Sequence, residues 1–294
     1  MKEHLGLQKA WGGYISSEMS LEGVGGVVFI LGILAGREGN PTLALAAMIA
    51  GLVAVLLATL ILIVDLGSPL RAFFVFLNPR SPMSLGAYML VFFSAFGVLT
   101  TAFWVFNWPK GVLYLVVAIL ASFFAIAVVL YPGFLMGIAK GVPFWHRSLL
   151  PVVFSAMAAA GGLALFLALL AVLNMAGVGT TGMFGQLSVV AQWTLGAVVV
   201  AALIMASVMF LVRATPTGVR SVYALTSNGL FWWGVVLGVL LPVIVLAFGA
   251  SAGRPALALV VGIFTVAGWF VFRHLFIVAG AMEPMQVMGA EIMP

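Results

Sequence analysis

Glu18 and Glu22 stand four residues apart in a stretch that is otherwise apolar, and Asp65 closes a second such stretch. Side chains at that spacing share one face of a helix. A carboxylate at membrane depth is costly unless it is paired, protonated or open to water. Two readings therefore stand side by side. Either the pair caps a helix in the headgroup layer, or it accepts protons beside a redox or transport site. Downstream of Asp65 the run to Arg71 contains Gly67 and Pro69, which end a helix because proline lacks the backbone donor. Asp65 is then left at a helix terminus with Arg71 close enough to pair. The pair is either an ion bridge in a well-punctuated loop or the border of a polar pocket between helix ends. Asn78 to Ser84 reads as a turn and an N-cap for the next helix.

The elements that must position these groups are membrane spans. The 294 residues are 65% hydrophobic and 6% charged, more apolar surface than a soluble domain can bury, so the bilayer is the solvent. A spanning helix needs roughly 20 apolar residues. Stretches of that kind occur at 16–36, 43–64, 84–106, 112–132, 148–173, 186–212, 230–249 and 255–280. The fold class is therefore an all-α integral membrane protein of about eight transmembrane helices, with both termini on one face, side A. Residues 1–13 are polar without a signal-peptide pattern, so the first apolar stretch reads as a retained helix. Side A receives the loops at 65–83, 133–147 and 213–229. Side B receives those at 37–42, 107–111, 174–185 and 250–254. Lys2, Lys9, Arg71, Arg80, Lys140, Arg147, Arg213, Arg220 and Arg273 fall on side A, and only Arg37, Lys110 and Arg254 on side B. Loop charge makes side A cytoplasmic, although docking of an acidic partner would give the same bias. The basic residues set topology, so nucleic acid is not an expected partner.

The chain has no cysteine, which excludes disulfides, thiolate zinc sites and cysteine-ligated iron–sulfur clusters. Haem b would need two facing histidines. With His4 in the terminal segment, only His146 and His274 remain near side A, and the expectation is no haem and no metal in this chain.

Four runs, DLGSPLRAFFVFLNPRSPMSLGAY (65–88), YPGFLMG (131–137), PFWHRSLLPVVFSAMAAAGG (143–162) and RHLFIVAGA (273–281), resemble the NrfD family, which includes the membrane subunit of polysulfide reductase. The likeness follows most of the chain in order. It implies two four-helix bundles, 1–140 with the quinone pocket and 141–294 with a short tail. It also implies a quinone-reactive anchor in a prokaryotic plasma membrane. Such an anchor exchanges electrons between menaquinone or ubiquinone and a ferredoxin-like four-cluster iron–sulfur subunit, with a molybdopterin or multihaem catalytic subunit beyond it. In that pattern Tyr131, just before Pro132 and Gly133 at the end of the fourth helix, contacts the quinone, and its phenol can donate to a carbonyl. An interfacial aromatic-belt tyrosine is the plainer alternative. The proposed catalytic set is Tyr131, Asp65, Glu18 and Glu22, with Tyr131, Arg71, Ser17 and His146 toward the quinone. The first helix departs from polysulfide reductase, whose quinone site uses Asn and His where this chain has Ser17, Glu18 and Glu22. Polysulfide reductase also carries its partner outside the membrane, against the loop-charge rule.

A transporter or ion-translocating subunit is the rival of another class, and a purely structural anchor is a third. Helix interiors nearly free of charge speak against ion transport; Gln186 and Gln192 in the sixth span are the main polar groups there. The pairs Gly25 and Gly26 and Gly161 and Gly162 read as close-packing faces. Trp232, Trp233, Trp269, Phe144 and Trp145 read as interface anchors.

Overall fold

The computed structural model describes residues 11–65, 74–138, 142, 144–145, 149–248 and 254–281, together with the backbone of 285–287 and 290–292. Arg71 and His146 lie outside the described residues, as do Lys140, Pro143 and Arg147.

Among the described residues, eight helices are long and apolar enough to cross a membrane. They are α1 (Gly13–Arg37), α2 (Pro41–Asp65), α3 (Pro82–Val105), α4 (Val112–Gly137), α5 (Leu150–Met175), α6 (Leu187–Val212), a seventh span of α8 (Gly229–Val235) and α9 (Leu241–Ala247), and α10 (Pro255–Val278). Within the seventh span, a π-helical turn at Val236–Leu240 joins α8 to α9. All eight expected spans are present, and the chain is an all-α, multi-pass membrane protein. An antiparallel pair of short strands, Met285–Val287 and Ala290–Ile292, the one sheet among the described residues, follows α10.

Contacts run α1 on α2, α2 on α3, α3 on α4 and α4 back onto α1. A second circuit runs α5 on α6, α6 on α9, α9 on α10 and α10 on α5. α1 and α5 are the two most buried spans and pack on each other. Small residues make that centre possible, since backbones approach closely where a side chain is missing. A Cβ at Gly25 would meet Gly51 of α2, at Gly26 the Ala125 carbonyl of α4, and at Gly162 the Val27 side chain. The glycine pairs are therefore packing faces, as expected.

Several local expectations are corrected. α4 does not stop at Tyr131 but continues through Pro132 to Gly137. An internal proline removes one backbone hydrogen bond, and packed neighbours keep the helix going. Gly133 lies where a Cβ would meet Pro151 of α5, so the α4 end is held against the next helix. The segment 78–84 does hold a turn and the N-cap of α3, which is Ser81, with Pro82 in the first turn of the helix. Ser84 is inside the helix, its Oγ donating to the Val75 carbonyl in the 3₁₀ turn at 74–77. The loop at 213–229 holds a helix, α7 (Pro216–Thr226), whose N-cap Thr215 accepts from the Gly218 amide at 3.1 Å. Gln186 is the N-cap of α6 rather than a residue of its interior, and Gln192 is exposed. Trp232 and Trp233 are exposed, but Trp269, Phe144 and Trp145 are buried and belong to a core cluster rather than to an interface belt.

On side B, the turn after α1 is joined to the loop before α6. Asn40 Nδ2 donates to the Thr181 carbonyl at 2.6 Å while Asn40 Oδ1 accepts from the Thr181 amide at 2.6 Å. Glu38 accepts from the Phe184 amide at 2.9 Å. These bonds tie the two circuits of helices together at the end opposite the acidic cluster.

Candidate functional site

The side A ends of α1 to α4 meet around a cavity of about 240 Å³. α1 and the residues before it supply Trp11, Ile15, Glu18 and Met19, and α2 supplies Leu62 and Asp65. α3 contributes Met83, Gly86 and Ala87, and α4 contributes Tyr131 and Leu135. Apolar side chains thus form most of the wall, with two carboxylates, a phenol and an indole as its polar points.

Each polar group is there for a local reason. Glu18 belongs to the central helix, so it is buried in protein, with 4% of its surface exposed, rather than set among headgroups. Asp65 is the last residue of α2 and faces the same space. Tyr131 fits only because Gly86 has no side chain, since a Cβ there would overlap Cζ, Cε1 and Oη of the ring. On the other side Trp11 stacks on Trp145, with ring centroids 5.2 Å apart. Phe144 beside it packs on Phe276 at 4.5 Å. The Phe144 and Trp145 segment therefore backs the cavity wall.

Glu22 lies one helical turn deeper, is fully buried, and its carboxylate oxygens accept no N–H or hydroxyl hydrogen bond. It is within electrostatic reach of Glu18, Tyr131 and Arg273. Arg273 was expected among the side A surface cations. It is instead buried inside α10, donating from Nη1 to the Met19 carbonyl and from Nη2 to the Phe154 carbonyl at 2.8 Å. A Cβ at Gly23 would collide with the guanidinium, so this glycine makes room for it. Next to it His274 shares a hydrogen bond of 2.8 Å through Nδ1 with Ser16 Oγ.

The structure thus places Glu18, Asp65 and Tyr131 on one cavity, with Glu22 beneath them. Ser17 is half-buried and is not among the residues that line the cavity. Sequence reasoning missed Arg273 as a site neighbour, and the signal for it was available: an arginine inside an apolar span marks a paired, inward-facing group. Trp11 and Gly86 carried no signal of their own. Among the described residues no group of three or more His, Cys, Asp or Glu is placed to hold a metal ion.

A mostly apolar cavity with two carboxylates and a phenol can bind a flat ring and exchange protons with it. A family model described as "Polysulphide reductase, NrfD" matches residues 7–284. The chain belongs to the NrfD family. NrfD proteins are quinone-interacting membrane subunits of oxidoreductases that pair with iron–sulfur and catalytic subunits in respiratory complexes. No curated protein matches the chain. This NrfD-family chain therefore has its acidic cavity in the half of the fold that the resemblance assigned to the quinone pocket.

Proposed function

We propose that this chain is the quinone/quinol-reactive membrane subunit of a respiratory oxidoreductase in a prokaryotic plasma membrane. It exchanges electrons between menaquinone or ubiquinone and a ferredoxin-like four-cluster iron–sulfur subunit, which serves a molybdopterin or multihaem subunit. The observation that carries this reading is the convergence of Glu18, Asp65 and Tyr131 on one side A cavity in a member of a quinone-interacting family. About 240 Å³ is below the roughly 300–1,000 Å³ of drug-sized ligand sites. It suits the ring of such a ligand.

When bound, the quinone supplies two-electron, two-proton redox chemistry. Tyr131 Oη donates to a carbonyl of the ring, and its own ring closes one wall. Glu18 and Asp65 are placed to take or give the protons on the cavity side. Glu22, buried one turn below Glu18 and interacting with it, is placed to share a proton with that carboxyl. Arg273 keeps the α1 and α5 backbones in register beside it.

Residues 1–140 and 141–294 are read as two four-helix bundles, supported by the two circuits of helix contacts. The iron–sulfur partner is assigned to side A, because electrons need a short hop from the cavity. Steady-state quinol kinetics of the intact complex test the reading. Tyr131→Phe is expected to lower kcat/KM about fivefold or more, the equivalent of about 1 kcal/mol for one lost hydrogen bond. Unchanged kinetics in both Tyr131→Phe and Asp65→Asn would remove the assignment.

A further inference from the structure

At the opposite end of the first four helices, on side B, α1, α3 and α4 frame an open pocket of about 520 Å³. Its lining includes Gly36, Arg37, Trp104, Lys110, Val112 and Tyr114. We propose that this pocket binds the phosphate of an acidic phospholipid.

Four observations support it. Side B has only three cations in the whole sequence, and two of them, Arg37 and Lys110, border this one pocket. Lys110 is held without a carboxylate: its Nζ lies 3.9 Å from the centre of the Trp104 ring. Trp104 Nε1 in turn donates to Tyr114 Oη at 3.0 Å, which leaves the phenol proton for an acceptor. Glu38, the only side B acid among the described residues, is turned to the Phe184 amide and lies against Gly182. Among the described residues, no carboxylate lines the pocket beside these two cations.

α4 also begins here with Gly111 as its N-cap, which offers no side-chain acceptor to the first-turn amides. Such amides and the helix dipole favour an anion. Directly below, α4 exposes Val112, Leu115, Val116, Ile119 and Phe123, a stripe at helical spacing that runs away from the pocket along the span. A phosphate carried on acyl chains satisfies both the cationic mouth and this apolar track, whereas a free phosphate satisfies only the mouth.

The experiment places the full chain in nanodiscs of phosphatidylcholine with a minor fraction of phosphatidylglycerol and counts retained lipid by native mass spectrometry. Each basic group at a membrane surface contributes roughly fivefold to anionic lipid binding, so Arg37→Gln or Lys110→Gln should lower phosphatidylglycerol retention about fivefold and the double variant about twenty-five-fold. Lys110→Arg should retain it. Arg254→Gln, on the same face but away from the pocket, should leave it unchanged. Equal losses in Arg254→Gln, no loss in the double variant, or displacement of the lipid by millimolar glycerol phosphate would each overturn the proposal, the last by assigning the site to soluble phosphate. All three positions are exposed, and a thermal melt checks that each variant folds as the parent does.

Discussion

Gly86→Ala is the smallest change that reaches the centre of the cavity. The added methyl would overlap three atoms of the Tyr131 side chain, Cζ, Cε1 and Oη. Because those atoms belong to a rigid ring, relief requires the whole side chain to rotate away from α3. Forced overpacking of this kind costs about 1–3 kcal/mol, while replacing glycine by alanine inside a helix returns about 1 kcal/mol. The net loss of stability is therefore small, about 0–2 kcal/mol by those two figures. The functional loss is separate, since a displaced phenol forfeits a hydrogen bond of about 0.5–1.5 kcal/mol, or two- to twelvefold in kcat/KM. Steady-state quinol kinetics and a thermal melt of the same preparation separate the two effects. Gly196→Ala in α6, where nothing lies within 4 Å of the added atom, should instead be neutral or stabilising with unchanged kinetics. In the Gly86→Ala background Tyr131→Ala should restore stability but not activity, a coupling on the order of 1 kcal/mol or more. Parental kinetics in Gly86→Ala, or full additivity of the two changes, would refute the placement of Tyr131 against this glycine.

Three further outcomes are expected. Arg273→Ala strips two backbone carbonyls of their donor and leaves Glu22 without its nearby cation, so it should destabilise the chain by about 3–5 kcal/mol; a combined Arg273→Met and Glu22→Gln variant should recover most of that in the same thermal melt. Glu22→Gln keeps the volume but removes the proton-carrying group, and turnover with quinol should fall by about 100-fold while quinone affinity holds within about twofold; unchanged turnover would take Glu22 out of the proton route. Asn40→Ala loses both short bonds to Thr181 and should lower stability by about 1–3 kcal/mol with quinol kinetics intact, because the contact lies at the far end of the molecule from the cavity.

The spans were legible because each is a long apolar run, and the expected windows differ from the observed helices mainly at punctuation. Pro132 read as a stop, yet the helix runs on to Gly137, since a proline costs one hydrogen bond and tertiary packing against Pro151 makes up for it. The acidic cluster was legible from spacing alone: Glu18 and Asp65 had to be at side A ends, and the fold brings them to one cavity. What spacing could not give was depth. Glu18 and Glu22 are buried because α1 is the central helix rather than a peripheral one, a property of which neighbours surround it. For the same reason Arg273, Trp269 and Trp145 looked like boundary residues by position along the chain and are enclosed once α5 and α10 pack around them. The amide pairing of Asn40 with Thr181 links residues 141 positions apart, and no local pattern announces such a bond.

The most direct test of the quinone assignment is where a photoreactive quinone attaches. An azidoquinone irradiated with the intact complex, then mapped by peptide mass spectrometry, should label 11–19, 62–65, 83–87 and 131–135. An excess of natural quinone should abolish that labelling. Competable labelling confined to α5, α6 or α10, with none on α1 to α4, would contradict the account.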